Sequence, residues 1–538
     1  MTSLPLPQGD ALAKPAFTDK ASCTAWVQQL QLTNLHQAHG ILRAQLEALN
    51  HYPLRGLQRL QTLEVFRETV VLVQSDYAKK LISKKLPLND DELTIFNAIV
   101  SLWQGLVTAY QLCLKACQEE NQLTELGPLI TQRCLRYTGL QIFEHLRSSY
   151  EFKTSLWQQL HTFFDFSEKH NFHQQTVEDA AHAAGYPCSC QAVYIKTLLA
   201  CHAHPAELSR RQLQLLDRWL SRWNEAFLIE RGNSATEEDA PPLIVDLAST
   251  QGIQTVKLIA PTVTTRFLPM VPLSKILRVK IILLQQGQTP QQLDLGNDCN
   301  VAECADLLTR LHRYWCEGIT DRQAERRTIA QTAELCFGIE GSYAHIAHKP
   351  FKQAKKGIGL DTIARKQIVA FGRVLADTNR HDLNKLGFSL ETWHVENESI
   401  LGARIIRGNI LGERLSPLQL IALKASDANA FMLGKVSWAI VTLDKQLRIG
   451  IQYFPGMAQP VSIKGQGINP SASEKSEAAL LLPAVPALKS PASLIMPRDF
   501  FRPERPIAIT HQDGLVQTVK LKVSLDKGVD FERVGFQI

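Results

Sequence analysis

From about residue 21 to 231 the apolar residues recur at intervals of three and four, in a stretch rich in Leu and Gln and poor in Gly. The clearest run is Leu93, Phe96, Val100, Trp103, Val107, Tyr110 and Leu114, one continuous stripe on a helix. Asn89 followed by Glu92 supplies a capping-box start for that helix. A stripe of this kind is the seam of a helical bundle rather than a cofactor box. No fixed-period repeat emerges that would build a solenoid. The pattern predicts an α-helical bundle over residues 21–231, preceded by a disordered N-terminus over 1–20.

The polar, proline-ended RGNSATEEDAPP at 231–242 reads as a linker, and the periodicity changes after it. LIVDLAS, IQTVKLIA and ILRVKIILL read as strands, the last closed by Gly287, before Val301–Tyr314 returns to helical spacing. Residues 242–320 are thus expected to be a β-strand region plus a connecting helix. Strands resume over 321–456, interrupted by a basic and then helical insertion at 349–387. A segment mixing Ser, Ala and Pro at 468–491 is a second linker candidate, so 457–538 reads as linker and small C-terminal β element. Its strand is clear: Val519, Leu521, Val523 and Leu525 alternate with Lys520, Lys522 and Ser524, between turns at Asp513-Gly514 and Asp526-Lys527-Gly528. The fold class that results is α+β multidomain, a helical N-terminal bundle followed by a β-rich region with an antiparallel barrel.

The 538 residues, 45% hydrophobic and 20% charged, are enough for several cores. A net charge of +6 permits anionic ligands but is small for a dedicated nucleic-acid binder, so nucleic acid is an unlikely partner. Eleven cysteines, an odd number without a CxxC pair, read as reduced and intracellular. With no signal-like N-terminus and no apolar run of spanning length, the expected location is the cytoplasm, without a membrane span. His170, His173, His182, Cys188, Cys190, Cys201, His202 and His204 cluster loosely, but no paired ligand spacing supports zinc, so no metal is expected.

The informative chemistry lies further on. In WHVENESILGARIIRG (393–408), Asn397 and Ser399 sit two apart in a strand and face the same way, and Gly402 leaves room for something to approach the backbone. Upstream, DRQAERR gathers Arg322, Arg326 and Arg327 at the entrance to the same β region. Arg218 and Arg222 also form an RxxxR, but inside a helical segment where a solvated face explains them.

The order RxxxR, then NxSxxG, then a hairpin with Gly434, Val436, Trp438, Gly450 and Phe454 resembles the PilZ domain family, bacterial receptors for cyclic di-GMP. The resemblance covers about residues 322–456, a quarter of the chain. It implies a PilZ-like β-barrel in which Arg322 and Arg326 take the arginine role and Asn397, Ser399 and Gly402 the strand role, with Arg327 and Arg404 adjacent. Arginine suits such a ligand because it can bond guanine O6 and N7, pair with phosphate and stack on a base. Asp246, Ser249 and Gly252 faintly echo the same motif, which raises a degenerate barrel within 242–320.

The expected protein is a non-enzymatic cyclic di-GMP effector, with no cofactor besides that ligand. It would act by domain rearrangement or through an unknown protein partner of the helical domain. A ligand-independent scaffold with a degenerate barrel is the alternative. A nucleic-acid module using the basic insertion is a third reading.

Overall fold

The computed structural model describes residues 6–10, 12–119, 123–179, 187–233, 240–254, 261–317, 327–351, 383, 386–408, 412–466 and 475–538. The chain divides into two compact units, Met1–Lys84 with Leu88–Asp321, and Lys85–Pro87 with Arg322–Ile538.

The first unit is built from helices α1 (Lys20–Gln29), α2 (Leu35–His51), α3 (Gly56–Tyr77), α4 (Asp90–Glu119), α5 (Leu123–Ser148), α6 (Ser155–Lys169), α7 (Cys190–His202) and α8 (Arg210–Arg222). The capping box forms: the Glu92 N–H donates to Asn89 Oδ1 at 2.9 Å, and the Asn89 N–H to Glu92 Oε2 at 3.0 Å. Helix α4 is long and apolar enough to cross a membrane by length and composition. Its stripe instead packs in the bundle, where Phe96, Trp103, Val107, Tyr110 and Leu114 are buried beside Ile99, Leu102 and Leu106. The expected disorder of 1–20 does not extend to the described part of that segment. Phe17 is 2% exposed and packs at a tilt against Trp26 and Phe66, and the Asp10 N–H donates to the His51 carbonyl.

Residues 242–320 differ from expectation. Two short strands, β1 (Leu243–Asp246) and β2 (Thr265–Leu268), form an antiparallel ribbon, followed by helices α9 (Val271–Gln285) and α10 (Val301–Cys316). Their apolar residues join the same core as the bundle, and no second barrel is built there among the described residues. ILRVKIILL is helix rather than strand: Leu273, Leu277 and Leu284 are buried at helical spacing, and Pro272 starts the first turn. Most of IQTVKLIA lies outside the described residues, although Gln254 bridges Ile244. Cys299 and Cys304 form a disulfide with a Cα–Cα distance of 6.3 Å, against the expectation of wholly reduced cysteines.

The second unit holds two closed six-stranded antiparallel barrels. The first runs β3-β4-β5-β8-β7-β6, from strands β3 (Arg327–Phe337), β4 (Glu391–Ser399), β5 (Gly402–Arg407), β6 (Leu420–Ala425), β7 (Met432–Val441) and β8 (Leu447–Tyr453). Its interior takes Leu335, Trp393, Val395, Ile405, Val436 and Ile449, all buried at alternate positions. The inserted segment expected at 349–387 lies largely outside the described residues. A short helix, α11 (Gly338–Ala347), precedes it.

The C-terminal region is more than a linker and a β element. Strands β9 (Gln459–Gly465), β10 (Glu477–Leu482), β11 (Ser493–Met496), β12 (Pro506–Thr510), β13 (Val516–Lys527) and β14 (Glu532–Gln537) close in the order β10-β11-β14-β13-β12-β9. The supposed linker at 468–491 therefore contains barrel strand β10. The two barrels share a core in which Ile339 and Tyr343 of α11 meet Leu420 and Leu433 of the first and Leu480, Leu482 and Ile495 of the second. The Leu420 N–H donates to Asp530 Oδ1 at 2.9 Å, and Asp526 pairs with Lys435.

Candidate functional site

The site is built at one end of the first barrel, where strand register closes a long gap in sequence. Arg327 opens β3 and pairs with Glu398, and Thr328 pairs with Asn397. The arginine segment therefore leads directly into the strand beside the NxSxxG motif, although some seventy residues separate the two in the chain. Arg322 and Arg326 lie outside the described residues.

A register shift between Val395 and Asn397 puts a bulge at Glu396. Before it, Val395 faces the barrel interior opposite Ile405. After it, Asn397 lies opposite Arg404, Glu398 opposite the buried Ala403, and Ser399 opposite Gly402. The bulge thus turns Asn397 and Ser399 onto the outer face with Arg404 and turns Glu398 inward. There Glu398 accepts a 2.6 Å hydrogen bond from the Tyr453 hydroxyl, and burial, with that bond to Glu398, pushes the Tyr453 hydroxyl far above its usual pKa. Arg327, opposite Glu398, is exposed and shares that inner parity at the barrel mouth rather than the face of Asn397 and Ser399.

On the outer face Glu396 pairs with Arg404 at 2.8 Å and with Arg448 at 3.2 Å. Among the described residues, two guanidinium groups here share one carboxylate. The Ser399 hydroxyl donates to the Gly402 carbonyl at 3.2 Å, which fixes the tight turn between β4 and β5. Beyond Arg404 lies Gly450, and beyond that Trp438. A Cβ on Gly450 would overlap the Trp438 indole, so the glycine lets the ring lie across the strand next to Arg404.

Gly402 has a different role from the one its spacing suggested. A Cβ there would overlap the Ile451 carbonyl oxygen of β8. The room it leaves is filled by the neighbouring strand, so Gly402 holds the cradle together rather than admitting a ligand to its own backbone. Sequence reasoning placed Trp438 only as part of the hairpin. Its position over Gly450 puts an indole on the same outer face as Arg404 and Asn397. Glu396 was not anticipated, because a bulge that moves a carboxylate onto the motif face leaves no mark in spacing.

Of the loosely clustered histidines and cysteines, His182 lies outside the described residues, and those described make structural contacts. Cys188 accepts hydrogen bonds from Gln132 and Arg136, His204 stacks on Tyr314 at 4.3 Å, and burial raises the Cys190 thiol far above its ordinary value. Among the described residues, no three His, Cys, Asp or Glu side chains gather as a metal site.

The chain is thus a helical bundle followed by two antiparallel barrels, the first carrying arginine, amide, hydroxyl and indole groups on its outer face. Residues 21–234 match the family described as the N-terminal domain of the cyclic-di-GMP receptor FimW, and residues 467–538 match the FimW C-terminal beta-barrel domain. These matches place the chain in a cyclic-di-GMP receptor family with a C-terminal barrel, and they flank the barrel that carries the motif. Among known proteins it is similar to the cyclic-di-GMP receptor FimW of Pseudomonas aeruginosa strain PAO1, with 21% identity over 528 residues, 88% of this chain and 83% of that one.

Proposed function

We propose that the protein is a cyclic di-GMP-binding effector whose ligand seats on the outer face of the first barrel. Arg322 and Arg326 would clamp the ligand from the segment entering β3, with Arg404 bonding phosphate or guanine and Asn397 and Ser399 meeting the remaining donors and acceptors. Trp438 would offer a stacking surface for one guanine. Arg327 would contribute charge at the barrel mouth, and Gly402 would keep β5 against β8. The observation that supports the reading is the pairing of Arg327, the residue that follows Arg326 in the sequence, with Glu398 of the motif strand. The relative's role as a cyclic-di-GMP receptor supports the same ligand.

Nothing in this constellation needs bond making or breaking, so the proposed role is a receptor and not an enzyme. Binding would bias the packing of the segment that enters β3, and through it a protein partner met by the helical domain. Such a shift requires different affinity for two arrangements.

A bidentate arginine–guanine contact discriminates by about 1–3 kcal/mol, against about 8 kcal/mol for micromolar binding in total. Calorimetry with cyclic di-GMP should therefore show tight binding by the wild type, clear weakening in Ser399→Ala, and near loss in the double variant Arg322→Ala with Arg326→Ala. Folded wild type that binds no cyclic di-GMP would favour the ligand-independent scaffold instead.

A further inference from the structure

The outer face that carries the motif continues into a cleft between the two barrels. Strand register sets Gly402 opposite Gln452, and Gln452 opposite Lys435, so these three positions share the side of Ser399 and Arg404. Lys435 pairs with Asp526 of the second barrel, which brings β13 and its neighbour β14 up to this edge. The cleft has a volume of about 670 Å³, within the size range of small-molecule pockets. One wall holds Ile400 and Leu401, the two residues between Ser399 and Gly402 of the motif, with Gln452 and Tyr453 of β8. The opposite wall, from the second barrel, holds Leu488, Lys489, Leu525 and Arg533.

The second barrel's wall carries two cations without a carboxylate of their own. Arg533 Nε donates to the Ser493 hydroxyl at 2.9 Å and Nη2 to the Ser490 hydroxyl at 2.7 Å, and the guanidinium lies 5.6 Å from the centre of the Phe454 ring. These contacts fix the group and leave Nη1 without a hydrogen bond among the described residues, in a side chain that is only half-buried. Asp526 stands opposite Arg533 in the ladder, but its ion pair is with Lys435. Burial accordingly lowers the Arg533 pKa, and Asp526 offsets this only in part. Lys489 is exposed and makes no ion pair among the described residues. Two carboxylates on neighbouring strand positions are engaged elsewhere: Glu398 accepts from the Tyr453 hydroxyl and the buried Glu532 from the Ser524 hydroxyl, each at 2.6 Å.

Between these cations and the motif lies apolar surface. Ile400 is 75% exposed, and Leu401, Leu488 and Leu525 are exposed as well. Apolar walls suit the face of a base, and a guanidinium with a free N–H beside an ammonium suits a phosphate.

We propose that the cleft takes the second guanine–phosphate half of cyclic di-GMP, with Arg533 and Lys489 at the phosphate and the base between Ile400, Leu401 and Leu488. Arg404, Asn397 and Ser399 hold the other half, so one ligand bridges both barrels. The inference rests on the proposed receptor role and adds the second barrel to the site. Because Ser490, Ser493 and Phe454 already hold Arg533, little side-chain freedom is lost when it meets the ligand.

The test is calorimetry with cyclic di-GMP on the full-length protein, with thermal melting of each free variant. Arg533→Gln removes a charged hydrogen bond and should weaken binding about 10- to 100-fold. Lys489→Glu, on an exposed loop, should melt as wild type does and weaken binding about 3- to 30-fold, through a lost attraction and an added repulsion. Lys445→Glu makes the same charge change in the exposed turn at the opposite end of β7 and β8, and should bind within about 2-fold of wild type. If Arg533→Gln does not fold, Lys489→Glu decides. Wild type that binds while either folded cleft variant binds equally well overturns this inference and leaves the receptor reading standing. Folded wild type that binds no cyclic di-GMP overturns both.

Discussion

Gly402→Ala tests whether the motif glycine serves the strand or the ligand. The added Cβ would overlap the Ile451 carbonyl oxygen, which is backbone and cannot swing aside as a side chain would. Strands β5 and β8 are paired from Gly402 with Gln452 to Arg407 with Leu447, so relief requires opening the first pairs of that ladder. Overpacking costs about 1–3 kcal/mol and each lost hydrogen bond about 0.5–1.5 kcal/mol, for a total of about 3 kcal/mol. A unit of this size shifts by about 2–4 °C per kcal/mol, so its calorimetric transition should fall by about 6–12 °C without ligand present. Gly40→Ala is the control: nothing lies within 4 Å of its added Cβ, and in the helix α2 the change should raise stability slightly. If Gly402→Ala melts within about 1 °C of wild type and loses only ligand affinity, the close strand approach is wrong and the glycine faces the ligand.

Three further outcomes follow from named contacts. Glu396→Gln removes the carboxylate that occupies Arg404 and Arg448, so cyclic di-GMP affinity measured by calorimetry should rise a few-fold; a fall would mean that Glu396 orients Arg404 for binding. Trp438→Ala should weaken cyclic di-GMP by the worth of one stacked base, about 1–3 kcal/mol, and abolish any ligand-induced change in tryptophan emission that arises at the barrel face. Burial pushes the Asp179 carboxyl up, but Arg136, Arg133 and Arg67 together hold it below its usual value. Its stabilising effect is therefore full above the ordinary aspartate range and is lost as pH falls through the lowered native value. Asp179→Asn should destabilise the helical unit by about 3–5 kcal/mol at neutral pH and flatten its loss of stability in acid, as chemical unfolding at pH 7 and at pH 3 would reveal.

The distance between what was readable and what was not differs by element. The stripe on α4 and its capping box at Asn89 and Glu92 were plain because both depend on residues three and four apart. ILRVKIILL misled because a continuous run of Ile, Leu and Val has no period that separates a strand from a buried helix. The second barrel was hidden by short strands: β11 spans Ser493–Met496 and β10 follows a Ser- and Ala-rich stretch that looks like linker composition. At the site, the shared face of Asn397 and Ser399 was visible in their spacing, whereas Glu396, the seat of Trp438 over Gly450 and the strand-filling role of Gly402 were not.

By itself the sequence determined local periods, turn positions and the types of side chain available: helical spacing up to about residue 231, alternation in the strands, and arginine, amide and hydroxyl groups in the order RxxxR then NxSxxG. Those properties need only neighbours a few residues away. Only the tertiary structure decided which distant strands pair, that Arg327 lies opposite Glu398, and that Arg67, Arg133 and Arg136 meet Glu64 and Asp179. Register and ion-pair partners arise from long-range packing, where one extra residue in a strand reverses every face.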